Sequence, residues 1–231
     1  MGEWQSAFEQ FLYNQLIPDF CSKASRNCAP SGFRNDSIKI AEQDAQYYMR
    51  AWELGLIEHQ GGGLYRSAQS RAGEQFFSEG HKSSQERRFS LWLEPVITFA
   101  GLARLNFDFG WPKEMIGTQS VDWALDLVAF LPDQQNEFIA GEVKKTRIEI
   151  ENMIDFMENF GHDPALTEPD RNFPKARNAY KKVAALRARN APIFWALGPD
   201  GFSKVYCMKY HANASFDMIL TDNAALKFPG V

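Results

Sequence analysis

Two runs decide how this chain is read: WALDLVAFLP at residues 123–132 and EFIAGEVKKT at residues 137–146. A short polar turn over 132–136 joins them, so the pair reads as a β-hairpin. Asp126 lies in the first run, and Glu142 and Lys144 close the second. Residues two apart in a strand share a face. Glu142 and Lys144 therefore project together, while Val143 enters the opposite packing layer. Carboxylates and a lysine on apolar strands are costly to bury unless they are paired or hold a metal. The hairpin end is thus a candidate active site. Two carboxylates meeting from neighbouring strands make a hard oxygen site, of the kind that holds Mg²⁺ together with waters and phosphate oxygens. Such an ion polarises a phosphoryl oxygen and lowers the pKa of bound water. A nearby lysine can position that water or offset transition-state charge. The residue types are those of metal-dependent phosphodiester hydrolysis.

Working outward, residues 82–103 (KSSQERRFSLWLEPVITFAGLA) read as helical, with Pro95 either kinking the helix or starting a second one. LNFDFGW (105–111) reads as a strand. After the hairpin, TRIEIENMIDFMENF (146–160) predicts an amphipathic helix, with Ile148, Met153, Ile154, Met157 and Phe160 on or near one side. RNFPKARNAYKKVAALRARN (171–190) predicts a basic helix. APIFWALG and SKVYCMKYH predict two strands around the turn Pro199-Asp200-Gly201.

Toward the N-terminus, residues 3–24 place Trp4, Phe8, Phe11, Leu12 and Leu16 at helical spacing, and Pro18 must bend or end that helix. A second helix is expected over 38–54, capped by Asp36 or Ser37. Gly55 suits its C-terminal cap. LIEHQ and LYRSA then suit two short strands about the loose turn Gly61 to Gly63.

The set Asp126 with Glu142-Val143-Lys144 at the end of an apolar strand resembles the PD-(D/E)XK, or restriction-endonuclease-like, nucleases. The order helix, strand, strand, strand, helix, strand around it is similar to their core, over about residues 84–210. The resemblance implies an α/β fold, a mixed central sheet flanked by helices. It also implies that Asp126, Glu142 and the Val143 carbonyl are metal ligands and that Lys144 is the catalytic lysine. Many members carry a further glutamate on the preceding helix; Glu94 is the candidate here and Glu86 the fallback. Leu125 stands where the motif has proline. The expected cofactor is Mg²⁺, with Mn²⁺ able to substitute, and the expected function is endonucleolytic cleavage of nucleic acid, DNA in the first instance.

The stretch AWELGLIEHQGGGLYRS (51–67) resembles the end of a winged-helix recognition helix with its wing. This divides the chain into a small winged-helix-like α+β domain (1–80) and a nuclease-like domain (81–231). Lys39 and Arg50 are thin basic provision for a DNA groove beside Glu42, Asp44 and Glu53. The competing role for this domain is protein contact or dimerisation, which allows a homodimer. The competing role for the whole is a nuclease fold that has lost catalysis and serves in DNA binding, regulation or assembly.

The 231 residues are 45% hydrophobic, enough for a substantial core. No run suggests a membrane span or a secretory signal. Cys21, Cys28 and Cys207 are expected to be reduced thiols of a cytoplasmic protein. The net charge of -4 weighs against non-specific DNA binding. The basic helix (Arg171, Lys175, Arg177, Lys181, Lys182, Arg187, Arg189) offers either a phosphate-contacting face or a solvated one. Trp92, Trp111, Trp123 and Trp195 are expected in the core rather than as base-stacking platforms, and the four histidines have no metal-ligand spacing.

Overall fold

The computed structural model describes residues 2–81, 87–132 and 135–230. Glu86 lies outside them. The chain opens with helix α1 (Glu3–Phe11), a π segment (Leu12–Leu16) and α2 (Ile17–Ser22). Pro18 sits in the first turn of α2 and has no N–H to donate. The helix accommodates it by widening its hydrogen-bond ladder just before it. Helix α3 (Glu42–Glu53) follows. It starts later than its periodicity suggested, because residues 38–41 run extended and Ser37 is used elsewhere: its Oγ accepts the Leu91 N–H at 2.9 Å. Glu42 at the head of α3 caps α1 instead, accepting from Trp4 N at 2.9 Å and Gln5 N at 3.0 Å. Glu42→Ala should lower stability by about 1 kcal/mol, read as a shift in the urea midpoint, since it strands two N–H groups at the head of α1.

Gly55, with φ +65°, ends α3. The hairpin of β1 (Glu58–Gly61) and β2 (Leu64–Arg66) turns through three positive-φ glycines. A second small ribbon pairs β3 (Phe77–Glu79) with β4 (Phe89–Leu91). Residues 89–91 were expected to be helical. Helix α4 (Leu93–Phe107) begins beyond them, with Pro95 in its first turn, and runs through the first part of the expected strand 105–111. The reason is burial: α4 is buried without a break from Pro95 to Leu105, Thr98 and Arg104 included, so no exposed polar face sets its period.

Among the described residues one six-stranded mixed sheet forms the centre, ordered β10-β9-β8-β7-β6-β5. Its strands are β5 (Ile116–Thr118), β6 (Leu127–Ala129), β7 (Ile139–Val143), β8 (Ile193–Leu197), β9 (Ser203–Tyr210) and β10 (Phe216–Thr221). β6 and β7 pair antiparallel in the hairpin, with Leu127 opposite Gly141, and β7 runs parallel to β8. Between β7 and β8 lie α5 (Arg147–His162) and α6 (Pro174–Arg189).

Alternation divides the sheet's side chains between two cores. Leu127, Ile139, Val143, Trp195 and Leu197 join the core containing α4; Ala140, Phe194 and Ala196 join the one beneath α5 and α6. Helix α4 sits close on the sheet at Gly101, where a Cβ would come within 2.8 Å of Leu197 Cδ2. The α4 core also takes in Phe8, Leu12, Phe20 and Tyr48, so hydrophobic packing is continuous across residue 80. Buried apolar residues of α5 begin at Ile150; Ile148 is exposed. No helix among the described residues is long and apolar enough to cross a membrane. The three cysteines are free thiols.

Candidate active site

The end of the β6–β7 hairpin brings Asp126, Glu142, Val143 and Lys144 together. Asp126 enters β6 with its N–H donating to the Gly141 carbonyl at 2.9 Å. Its side chain turns back across the pair, where Oδ2 accepts the Val143 N–H at 2.9 Å. The two carboxylates therefore flank one short stretch of β7. Glu142 is only 1% exposed. On the same face of the strand, Lys144 Nζ hydrogen-bonds to Glu142 Oε1 and, at 2.8 Å, to the Val143 carbonyl. The ammonium thus takes up two of the oxygens that the family resemblance assigns to a metal.

Helix α6 supplies a further cation. Lys182 Nζ lies 2.9 Å from Glu142 Oε2 and donates to the Ala124 carbonyl, also at 2.9 Å. Both oxygens of the buried Glu142 carboxylate are thus paired with a lysine. Lys182 was readable only as one of many charges on a basic helix. Its signal was positional: it adjoins Ala179, Val183 and Leu186, the residues that bury α6.

Glu94 lies in the first turn of α4, half-buried, and its Oε2 accepts the Trp92 indole N–H at 3.1 Å. Its charge contributes to raising the Lys144 pKa, so it acts electrostatically on the hairpin site.

Charge in this pocket is unevenly shared. Burial, and then the neighbouring Glu142 charge, push the Asp126 carboxyl up to about 8. Burial also works to raise Glu142, but the Lys182 and Lys144 charges outweigh it and hold Glu142 below its ordinary range. Lys144 is disfavoured as a cation by burial, yet the Glu142 and Asp126 carboxylates raise it above the ordinary lysine value. Near neutral pH Asp126 keeps its proton and Glu142 is ionised beside the Lys144 ammonium.

The donor set suits a hard cation: two carboxylates and an adjacent backbone carbonyl. Two protein carboxylates completed by waters are ordinary for Mg²⁺. Among the described residues no group of three or more His, Cys, Asp and Glu is arranged to hold a metal, so any ion here rests on this smaller set.

The remaining basic residues of α6 are largely engaged. Arg187 donates to the Phe160 carbonyl and lies over the Phe216 ring. Arg189 pairs with Asp122 and Glu137, and Arg177 with Glu168. Neither a continuous phosphate-contacting face nor a simple solvated one describes this helix. Lys175 lines a small cavity beside Lys144 and Lys182, and Lys181 a groove beyond. The tryptophans also divide. Trp111 and Trp195 are fully buried as expected, but Trp92 and Trp123 are 44% and 70% exposed, contrary to the expectation that they pack in the core. His59 pairs with Asp19, while His162 and His211 share Asp217. Compared with known proteins, the chain matches no family model, no curated protein and no solved structure.

Proposed function

We propose that this chain is a divalent-metal-dependent nuclease of the PD-(D/E)XK kind, hydrolysing nucleic-acid phosphodiester bonds, with DNA as the first substrate to test. The observation that carries the reading is the convergence of Asp126, Glu142 and Lys144 at one hairpin end. The order α4, β5, β6, β7, α5, α6, β8 supports a restriction-endonuclease-like core. The hairpin β1–β2 after α3 supports a winged-helix-like N-terminal unit.

In this reading Asp126, Glu142 and the Val143 carbonyl hold Mg²⁺, which supplies Lewis acidity and an acidified water when bound. Lys182 keeps Glu142 ionised and is itself held by its hydrogen bond to the Ala124 carbonyl. Lys144, released from Glu142 and Val143, directs its ammonium toward the attacking water and the charge that grows on the phosphoryl oxygens. Glu94 helps keep that ammonium protonated. Loading would require Asp126 to lose its proton, so metal affinity should rise with pH up to about 8.

The test is cleavage of single-stranded, duplex and branched DNA and of RNA with Mg²⁺ or Mn²⁺, against the same reactions in EDTA. Metal-dependent products support the reading; no cleavage of any substrate together with no metal binding sinks it. A second reading, a nuclease fold used only for binding, draws on the internal neutralisation of Glu142 by two lysines. It predicts nucleic-acid binding that Glu142→Gln and EDTA leave unchanged.

A further inference from the structure

We propose that the groove bounded by Trp92 and Trp123 is a stacking site for unpaired nucleobases, so that the nuclease reading, on which this rests, is narrowed to substrates with a single-stranded segment. The groove has a volume of about 670 Å³ and is lined by Phe77, Trp92, Leu93, Gln119, Trp123 and Lys145, among others. That volume is within the roughly 300–1,000 Å³ typical of ligand sites.

Trp123 carries the inference furthest. It is 70% exposed and has φ +58°, a conformation uncommon for a bulky side chain. Such strain persists only where surrounding structure imposes it, and it gathers at ligand sites. Here the surroundings do impose it. Trp123 N donates to the Ser120 carbonyl at 3.0 Å. Ser120 Oγ accepts from Ala124 N at 3.1 Å and Leu125 N at 3.0 Å, and Asp122 is paired with Arg189. A large aromatic is thus displayed to solvent on a braced loop three residues before Asp126, where ordering it on binding costs little.

Trp92 is placed by its indole hydrogen bond to Glu94. A base stacked on it would lie beside a carboxylate of the candidate catalytic site. Lys145, next to Lys144, gives the groove a cation for a backbone phosphate. Glu74 also lines the groove; its Oε1 accepts from Gln119 at 2.7 Å, and burial raises its pKa above the ordinary carboxylate value. On its other side Trp123 borders a second groove with Tyr180, Lys181 and Lys182, in which the carboxylates Asp122 and Glu168 are paired with Arg189 and Arg177. Stacked aromatics interleaved with cations are how proteins hold single strands without reading sequence. A duplex hides its base faces from such a site.

The experiment is fluorescence anisotropy of the full-length protein in EDTA, with labelled 12-nucleotide single strands of DNA and RNA, a duplex, and a single strand containing abasic positions. Expected are a preference for single strands over duplex and quenching of tryptophan emission on binding. Trp92→Ala and Trp123→Ala should each weaken binding by about tenfold, Trp123→Phe should recover most of it, and abasic positions should weaken wild type but not Trp123→Ala. Wild-type affinity in both alanine variants, indifference to abasic positions, or tighter binding of duplex would overturn the inference. If strands bind and metal-dependent cleavage occurs but the tryptophans do not matter, only the stacking site is lost. If no nucleic acid binds or is cut, the nuclease reading falls with it.

Discussion

Lys144→Ala should lower metal-dependent cleavage by about 10²–10³-fold, because it removes the ammonium best placed to meet charge growing at the phosphoryl group. The same change deprives Glu142 of one of its two cations. Breaking a buried pair by removing one partner costs about 3–5 kcal/mol, and the retained Lys182 contact, 2.9 Å from Oε2, should hold the loss toward the lower end. Rates must therefore be compared well below the variant's Tm. Lys209→Ala, which removes an exposed lysine on β9, serves as the control and should cleave as wild type does. Equal rates for Lys144→Ala and wild type would remove Lys144 from the chemistry.

Asp126→Asn should have opposite effects on folding and function: a more stable metal-free protein and no divalent binding. The folded Asp126 carboxyl keeps its proton up to about pH 8, whereas its ordinary value is 3.8. Between these values the native state binds more protons than the unfolded chain, so stability falls as pH rises through that window. Below both values nothing is lost. By pH 9 the ionised carboxylate is buried against Glu142 at a cost on the order of a few kcal/mol. Asparagine keeps an oxygen for the Val143 N–H and does not titrate. Urea denaturation from pH 4 to pH 9 should therefore give similar stabilities at pH 4 and a growing advantage for the variant above it. The opposing slope from Glu142, whose low pKa contributes stability that is lost in acid, is common to both proteins. Parallel curves across the range would show that Asp126 is not held protonated by its neighbours.

How much of this was legible in the sequence varied with the physical signal. Asp126, Glu142 and Lys144 stood out because a charge in an apolar strand has to be accounted for, and β6, β7, β8, β9 and α5 announced themselves by runs and periodicity. Helix α4 was blurred by its own burial, since a helix buried on every side, Arg104 included, has no exposed polar face to set its period, and a strand was read into its last turn. β5 is three residues with a glycine at its centre, and β10 leaves Ile219 and Leu220 exposed at the sheet edge, so neither carries a clean pattern. The packing of Phe8, Tyr48 and α4 into one core was not legible, because it depends on contacts between distant parts of the chain. Lys182 and the two exposed tryptophans were hidden for the same reason: sequence lists the side chains of a helix or loop but does not say which of them meet a site formed elsewhere.

The most direct measurement is a calorimetric titration of Mn²⁺ into the metal-free wild type and Asp126→Asn near pH 8. One saturable site in wild type, lost in the variant whose fold is intact, is the result predicted for an ion held by Asp126, Glu142 and the Val143 carbonyl. No saturable binding in wild type, or equal binding in both proteins, would contradict a metal centre at the hairpin end.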